Sequence, residues 1–171
     1  MSDLTLLVMR VLHILLGVFW AGTLIFNAIY LQPSLRDAGP DAAKVAAGLM
    51  RRRFLDVMPL AAAVTILSGL WLYWLVSGGF QVAYMRSATG MTIGLGAVAA
   101  IVAFTIGVAI MRPAMLRAAA LSQAAAQAAA PERDAQLTEA QALRARAGVA
   151  GKYVAALLVV AVVAMAIARY V

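Results

Sequence analysis

The stretch LTLLVMRVLHILLGVFWAGTLIFNAIYL, residues 4–31, decides the fold class. It is apolar along its length and broken by Arg10, His13 and Asn27. A helix needs about 20 such residues to cross a bilayer. The run lacks the alternating polarity of a barrel strand, and in lipid a helix satisfies its own backbone groups. Three further runs of the same kind follow, at 57–76, 89–111 and 149–168. The chain therefore reads as an all-α polytopic membrane protein. It is a single domain over 1–171, with four transmembrane helices in an antiparallel bundle.

Composition agrees. The 171 residues are 65% hydrophobic and 12% charged, against about 45–50% and about 25% in a soluble domain. Mean hydropathy is +0.93. There is no cysteine, which excludes disulfides, thiolate metal ligands and cysteine nucleophiles. Net charge is +7, but the basic residues flank the apolar runs. That placement points to anionic headgroups rather than to nucleic acid.

The same charges orient the chain. Link 32–56 carries Arg36, Lys44, Arg51, Arg52 and Arg53. Link 112–148 carries Arg112, Arg117, Arg133, Arg144 and Arg146, with Lys152 just beyond. Link 77–88 has only Arg86. Positive charge marks the cytoplasmic side. The first and third links are expected there and both termini outside, in a bacterial inner membrane. No basic residue precedes the first run, and the run is too long for the apolar part of a cleavable signal. Tyr73, Trp74, Phe80, Tyr84 and Tyr170 are expected as an outer aromatic belt.

The cytoplasmic links read as helical. Pro40 suits a first helical position, and the residues after it extend the second transmembrane helix through Arg51, Arg52 and Arg53. Asp56 is expected to pair with Arg52 or Arg53, and Pro59 to kink that helix. Alanine-rich residues 115–130 extend the third helix, PERD (131–134) turns, and 138–153 lead back. The result is a cytoplasmic helical hairpin about 20–30 Å long at 1.5 Å per residue. A disordered Ala/Gln linker is the alternative. Gly90-x-x-x-Gly94 and Ser68-Gly69 mark places of close helix approach.

Ionisable residues inside a membrane are functional candidates. Met9, His13, Gly17, Trp20, Leu24 and Asn27 fall on one helical stripe, with Arg10 beside it. His13 is the sole histidine. Neutral imidazole ligates haem iron and copper, and methionine thioether is a soft partner for both. His13 and Met9 are the candidate metal ligands. Arg10 is a candidate partner for haem propionates, Gly17 leaves room beside the imidazole, and the indole N–H of Trp20 needs an acceptor. Met85, Met91 and Met165 fall on the same outer half. One histidine cannot supply bis-histidine ligation, so a second ligand must come from methionine or from another chain. Methionine as core filler, Arg10 snorkelling to the interface and His13 bonding a neighbouring helix are the alternatives. No Walker, HExxH or hydrolase-elbow motif occurs, and the first, third and fourth runs hold no acidic residue, which argues against a carboxylate proton relay.

At LHILLGVFWAGTLIFNAIYLQPSL (12–35) the chain resembles the copper-resistance protein D (CopD)-like integral membrane proteins. That superfamily has a four-helix core that opens on a His-containing helix, a Trp-x-Gly and a proline just past the helix. Here these are His13, Trp20-Ala21-Gly22 and Pro33. FLDVMPLAAAVTILSGLWLYW (54–74) and MAIARYV (165–171) are similar to its second helix and closing segment. The resemblance implies a role in copper handling across the inner membrane. More distantly, the start is similar to the HemJ protoporphyrinogen oxidase family, but NAIYLQPSLRD (27–37) and the lack of a second histidine depart from that pattern.

The expectation is a non-enzymatic membrane protein that binds haem b or copper near the outer face through His13. It would serve metal handling or a respiratory complex, as a homo-oligomer or as a subunit of a larger assembly in the lipid bilayer. A cofactor-free accessory or scaffold subunit is the alternative, and a HemJ-like oxidase is a third.

Overall fold

The computed structural model describes residues 3–171, and these are helical with no strand among them. Helix α1 (Asp3–Phe26) runs through a π turn (Asn27–Leu31) into α2 (Gln32–Asp37). A 3-10 turn (Gly39–Asp41) leads to α3 (Ala42–Arg51), then α4 (Phe54–Val76) and the short α5 (Val82–Met85). Helix α6 (Ala88–Ile106) runs through a second π turn (Gly107–Met111) into α7 (Arg112–Ala125), and α8 (Ala130–Ile167) closes the chain with a last 3-10 turn (Ala168–Tyr170). Four segments are long and apolar enough to cross a membrane: Asp3–Asp37, Phe54–Val76, Ala88–Ala125 and Ala130–Tyr170.

Prolines explain the two π turns. A proline lacks an N–H, and in a regular helix its ring meets the carbonyl four residues back. Each π turn here is followed by an X-Pro pair, Gln32-Pro33 and Arg112-Pro113. The amide of Gln32 bonds the carbonyl of Asn27, and that of Arg112 bonds Gly107, both five residues back. This wider turn shifts the ladder past the missing donor, so the helix continues. Pro33 therefore lies within a continuing helix and not just past its end.

Pro59 is handled differently. It sits inside α4 with no π turn, so the carbonyl of Leu55 has no amide four residues on. Arg112 fills the gap. Its Nε donates to Leu55 O at 3.1 Å, and its Nη2 meets Asp56 Oδ1 at 2.8 Å. The expected Arg53–Asp56 pair forms as well but is longer, at 3.6 Å.

Three link details differ from the sequence expectation. The chain does not extend α4 back through the arginine triplet. Arg53 adopts a left-handed conformation (φ 55°), which separates amphipathic α3 from apolar α4. The helix there opens at Ala42, after the 3-10 turn that contains Pro40. Residues 131–134 are not the turn either. Pro131 sits in the first turn of α8, where its missing N–H costs nothing, and the chain turns at 126–129.

Small residues let the helices approach. Along α1 and α4, His13 meets Gly69 while Gly17 meets Thr65, so contacts descend α4 as they ascend α1. Gly96 of α6 packs on Ala161, Ala164 and Met165 of α8, and Gly151 of α8 packs on Met111. The tight α6–α8 contact is at Gly96, while in Gly90-x-x-x-Gly94 buried Gly90 lies close against the backbone of α5 at Tyr84 and Met85, and Gly94 faces the Tyr73 hydroxyl. Trp20, Ala21, Ala61, Ala62, Ala103, Val154 and Leu158 form the core. Further along, α7 and α8 lie together over buried Ala114, Ala118, Ala125, Ala140 and Ala147. Arg117 pairs with Glu139, and Arg144 donates to Ser122 Oγ at 2.6 Å.

Tyr73 is also placed differently from an outer-belt residue. It is buried, and its hydroxyl donates to Gly90 O at 2.9 Å, tying α4 to the start of α6. Trp74, Phe80 and Tyr170 are exposed.

Replacing Arg112 by Gln should lower stability in detergent by about 1–2 kcal/mol, the range of a partly exposed hydrogen bond to a charged group. In a Pro59→Ala background, where Leu55 O regains an amide partner, the same change should cost about half as much. Thermal unfolding followed by circular dichroism measures both. An equal cost in the two backgrounds would show that Arg112 does not compensate for Pro59.

Candidate functional site

The stripe on α1 faces inward. Trp20 and Asn27 are buried, Met9, His13, Gly17 and Leu24 are half-buried, and Arg10 is exposed. At His13 the neighbouring helix is shaped to receive the ring. A Cβ on Gly69 would stand 2.6 Å from His13 Cε1 and 2.9 Å from Nδ1, so any side chain there would collide with the imidazole. The ring lies against α4 with Nδ1 2.8 Å from the carbonyl of Thr65.

That contact sets the tautomer. A carbonyl can only accept, so Nδ1 carries the hydrogen and donates it. In the neutral ring the lone pair is then on Nε2, which has no hydrogen-bond partner among the described residues. Nearby polar groups are satisfied locally. Thr65 Oγ1 donates to Ala61 O at 2.8 Å, and Ser68 Oγ donates to Val64 O at 2.6 Å and Thr65 O at 3.0 Å. The Thr65 carbonyl thus accepts from both Ser68 Oγ and His13 Nδ1.

Beside the imidazole lies a cavity of about 200 Å³ between α1, α4 and α6, reached by Met165 from α8. Its wall is almost wholly aliphatic. The polar side chains on it are Arg10, His13, Thr65 and Tyr73. Thr65 and Tyr73 spend their hydroxyl protons on backbone carbonyls. His13 Nε2 and the guanidinium of Arg10, which forms no ion pair among the described residues, remain for a ligand.

The other sequence candidates are distributed around this point. Met9 does not line the cavity, and the thioether on its wall is Met165. Gly17 lies one helical turn on, where a Cβ would stand 3.3 Å from Thr65 Cγ2, so its role is helix approach. Trp20 is in the core and lines a second, smaller cavity of about 60 Å³ with Met58, Pro59 and Met111. Its indole finds no acceptor among the described residues. Met85 and Met91 lie outside the cavity. Thr65 carried no signal in the sequence, because the group that matters is its backbone carbonyl. Gly69 did carry one, as half of the Ser68-Gly69 notch, though not as the seat of His13.

The donor set discriminates between the two metals. The cavity wall offers one imidazole nitrogen and one thioether, and no group of three or more His, Cys, Asp or Glu gathers among the described residues. That is sparse for a copper ion held by one chain. A single histidine, aliphatic walls and one guanidinium fit a haem better. A ligand of that size exceeds the enclosed volume, since sites for such groups span about 300–1,000 Å³. Part of it would lie beyond the wall. No family model, no curated protein and no solved structure matches the chain.

Gly69→Ala should push the imidazole out of its seat and destabilise the protein by about 1–3 kcal/mol, the usual cost of overpacking. In His13→Ala, which vacates the seat, the same substitution should be close to neutral. A double-mutant cycle by thermal or denaturant unfolding reads the coupling. Additive costs would mean that Gly69 and His13 do not depend on each other.

Proposed function

We infer that the protein is a non-enzymatic, four-helix antiparallel membrane bundle that holds one haem b through His13 Nε2. In this reading it sits in a bacterial inner membrane with both termini outside, and the α7–α8 hairpin projects into the cytoplasm. The arginine-rich links support that orientation by the positive-inside rule. The CopD-like resemblance of the first helix supports a place in metal handling or in a respiratory complex.

One observation carries the haem reading. His13 donates Nδ1–H to a backbone carbonyl, which leaves Nε2 without a protein partner on a residue that lines an apolar cavity. A histidine metal ligand is oriented in the same way, by a second hydrogen bond from its other nitrogen. Gly69 fixes the plane of the ring and Thr65 fixes its rotation. Arg10, one helical position from Met9 and on the cavity wall, is placed for a propionate. Met165 is the one thioether on that wall, and it would be the second protein group able to hold the iron. When bound, such a haem supplies one-electron transfer. The aliphatic wall excludes water from it and favours the less charged state.

A second reading has its own support. The Nδ1–Thr65 bond and the Gly69 seat join α1 to α4 without any cofactor. On that basis the protein is an accessory subunit whose exposed aliphatic faces meet lipid and partner helices.

An absorbance spectrum of the purified protein, expressed with haem supply and with metal analysis, separates the readings. The haem reading expects a Soret band at one haem per chain that His13→Ala abolishes. Arg10→Gln should keep the band and weaken haem affinity about tenfold, the equivalent of about 1.4 kcal/mol. A folded protein that neither contains nor takes up haem overturns it. Stoichiometric copper lost in His13→Ala would replace haem by copper, and neither group would leave the accessory subunit.

A further inference from the structure

We propose that the arginine-rich end of the bundle binds one anionic phospholipid, with its phosphate between Arg36 and Arg144. This site is separate from the His13 cavity and independent of the haem reading. A cavity of about 440 Å³ opens where the segment after the first π turn faces α7 and α8. Arg36 of α2 and Arg144 of α8 both line it, with Gln32 and Gln141. Its volume falls within the about 300–1,000 Å³ of small-molecule sites.

The two guanidiniums are uncommitted in charge. Arg112 pairs with Asp56 and Arg117 with Glu139, but neither Arg36 nor Arg144 meets a carboxylate among the described residues. Arg144 spends one N–H on Ser122 Oγ, at 2.6 Å, which steadies its fork and leaves the other donors. Arg36 lies across α8 at Gly148, where a Cβ would stand 3.1 Å from its Nη2. Gly148 thus allows the guanidinium to reach the cavity from the opposite helix. Two positive groups on one cavity wall repel each other unless an anion sits between them. The planar fork of arginine matches phosphate oxygens.

The apolar part identifies the anion as an amphiphile. A second cavity of about 120 Å³ shares Gln32, Leu35, Ala46, Met115 and Arg144 with the first. Leu24, Leu49, Phe54 and Met111 line it as well and are absent from the first. A soluble phosphate would fill the charged half and leave this chamber empty. A phospholipid fills both, with its phosphodiester at the arginines and the start of one acyl chain among the aliphatic groups. The place is right as well, since basic pockets between membrane helices are headgroup sites.

Native mass spectrometry of the full chain released from micelles tests this. The additives are phosphatidylglycerol, phosphatidylcholine, oleate or inorganic phosphate. We expect one phosphatidylglycerol retained per chain, about tenfold in preference to phosphatidylcholine. Arg36→Gln should reduce retention at least about fivefold, and Gly148→Leu, which displaces the same guanidinium, should do likewise. Arg51→Gln removes an equal charge outside the cavity and should change nothing. The proposal fails if phosphatidylcholine or oleate is retained equally, if inorganic phosphate displaces the lipid, or if Arg51→Gln matches Arg36→Gln.

Discussion

Three prolines inside long helices set the terms for this structure, because each removes a backbone donor from a helix that continues past it. Pro33 and Pro113 follow π turns, which pass the hydrogen-bond ladder over the gap. Pro59 has no such turn, and its orphaned carbonyl at Leu55 is taken by Arg112. These solutions are linked. The second π turn ends one residue before Arg112, so the device that accommodates Pro113 also delivers the guanidinium that compensates for Pro59. A regular α-helix through 107–111 would rotate everything beyond it by part of a turn and carry Arg112 off Leu55.

The same accounting governs the helix contacts. Lipid gives apolar side chains no reason to leave it, so helices associate through close packing and backbone polarity. Alanine and glycine line the α6–α8 and α7–α8 seams, and the core around Trp20 is largely alanine. Several of the polar side chains that enter return to a carbonyl. Thr65, Ser68 and Tyr73 all donate to backbone oxygens, and so does His13. The imidazole is distinctive because it has two nitrogens and one partner. The hydroxyls of Thr65 and Ser68 are consumed by their own helix, whereas the ring is left with a lone pair.

Much of this was legible in the sequence, for identifiable reasons. The four spans follow from hydropathy alone, and the inward stripe on the first helix follows from spacing of three and four. Helix beyond the third span followed from alanine propensity. What escaped was whatever depends on backbone geometry between distant residues. NAIYLQP and GVAIMRP share the placement of proline after a π turn, but without residue identity, so their likeness is visible only in three dimensions. The left-handed Arg53 sits in a run of three identical residues, any of which could have ended α3. The Arg112–Leu55 bond spans 57 positions and ends on a carbonyl, which no side-chain pattern marks. Tyr73 read as a belt aromatic beside Trp74, but Trp74 is exposed and Tyr73 buried, since a shift of one residue on a helix moves a side chain by about 100°.

The two ends of the bundle turn these constraints to opposite chemistry. At the His13 end, aliphatic walls surround one imidazole, and the nearest carboxylate ion pairs lie at the other end of the helices, at Asp56 and beyond. At the arginine end the cavities open between charged helices, where Asp41 pairs with Lys44, Asp56 with Arg53 and Arg112, and Glu139 with Arg117. The surplus of positive charge is therefore not spread over that end but left at particular places, Arg36 and Arg144 among them. Glycine makes both arrangements possible, since Gly69 seats the imidazole and Gly148 seats the guanidinium. In each case a missing side chain on one helix lets a long polar one from another lie flat against the backbone. A bundle built on small residues thereby gains sites where its helices would otherwise only touch.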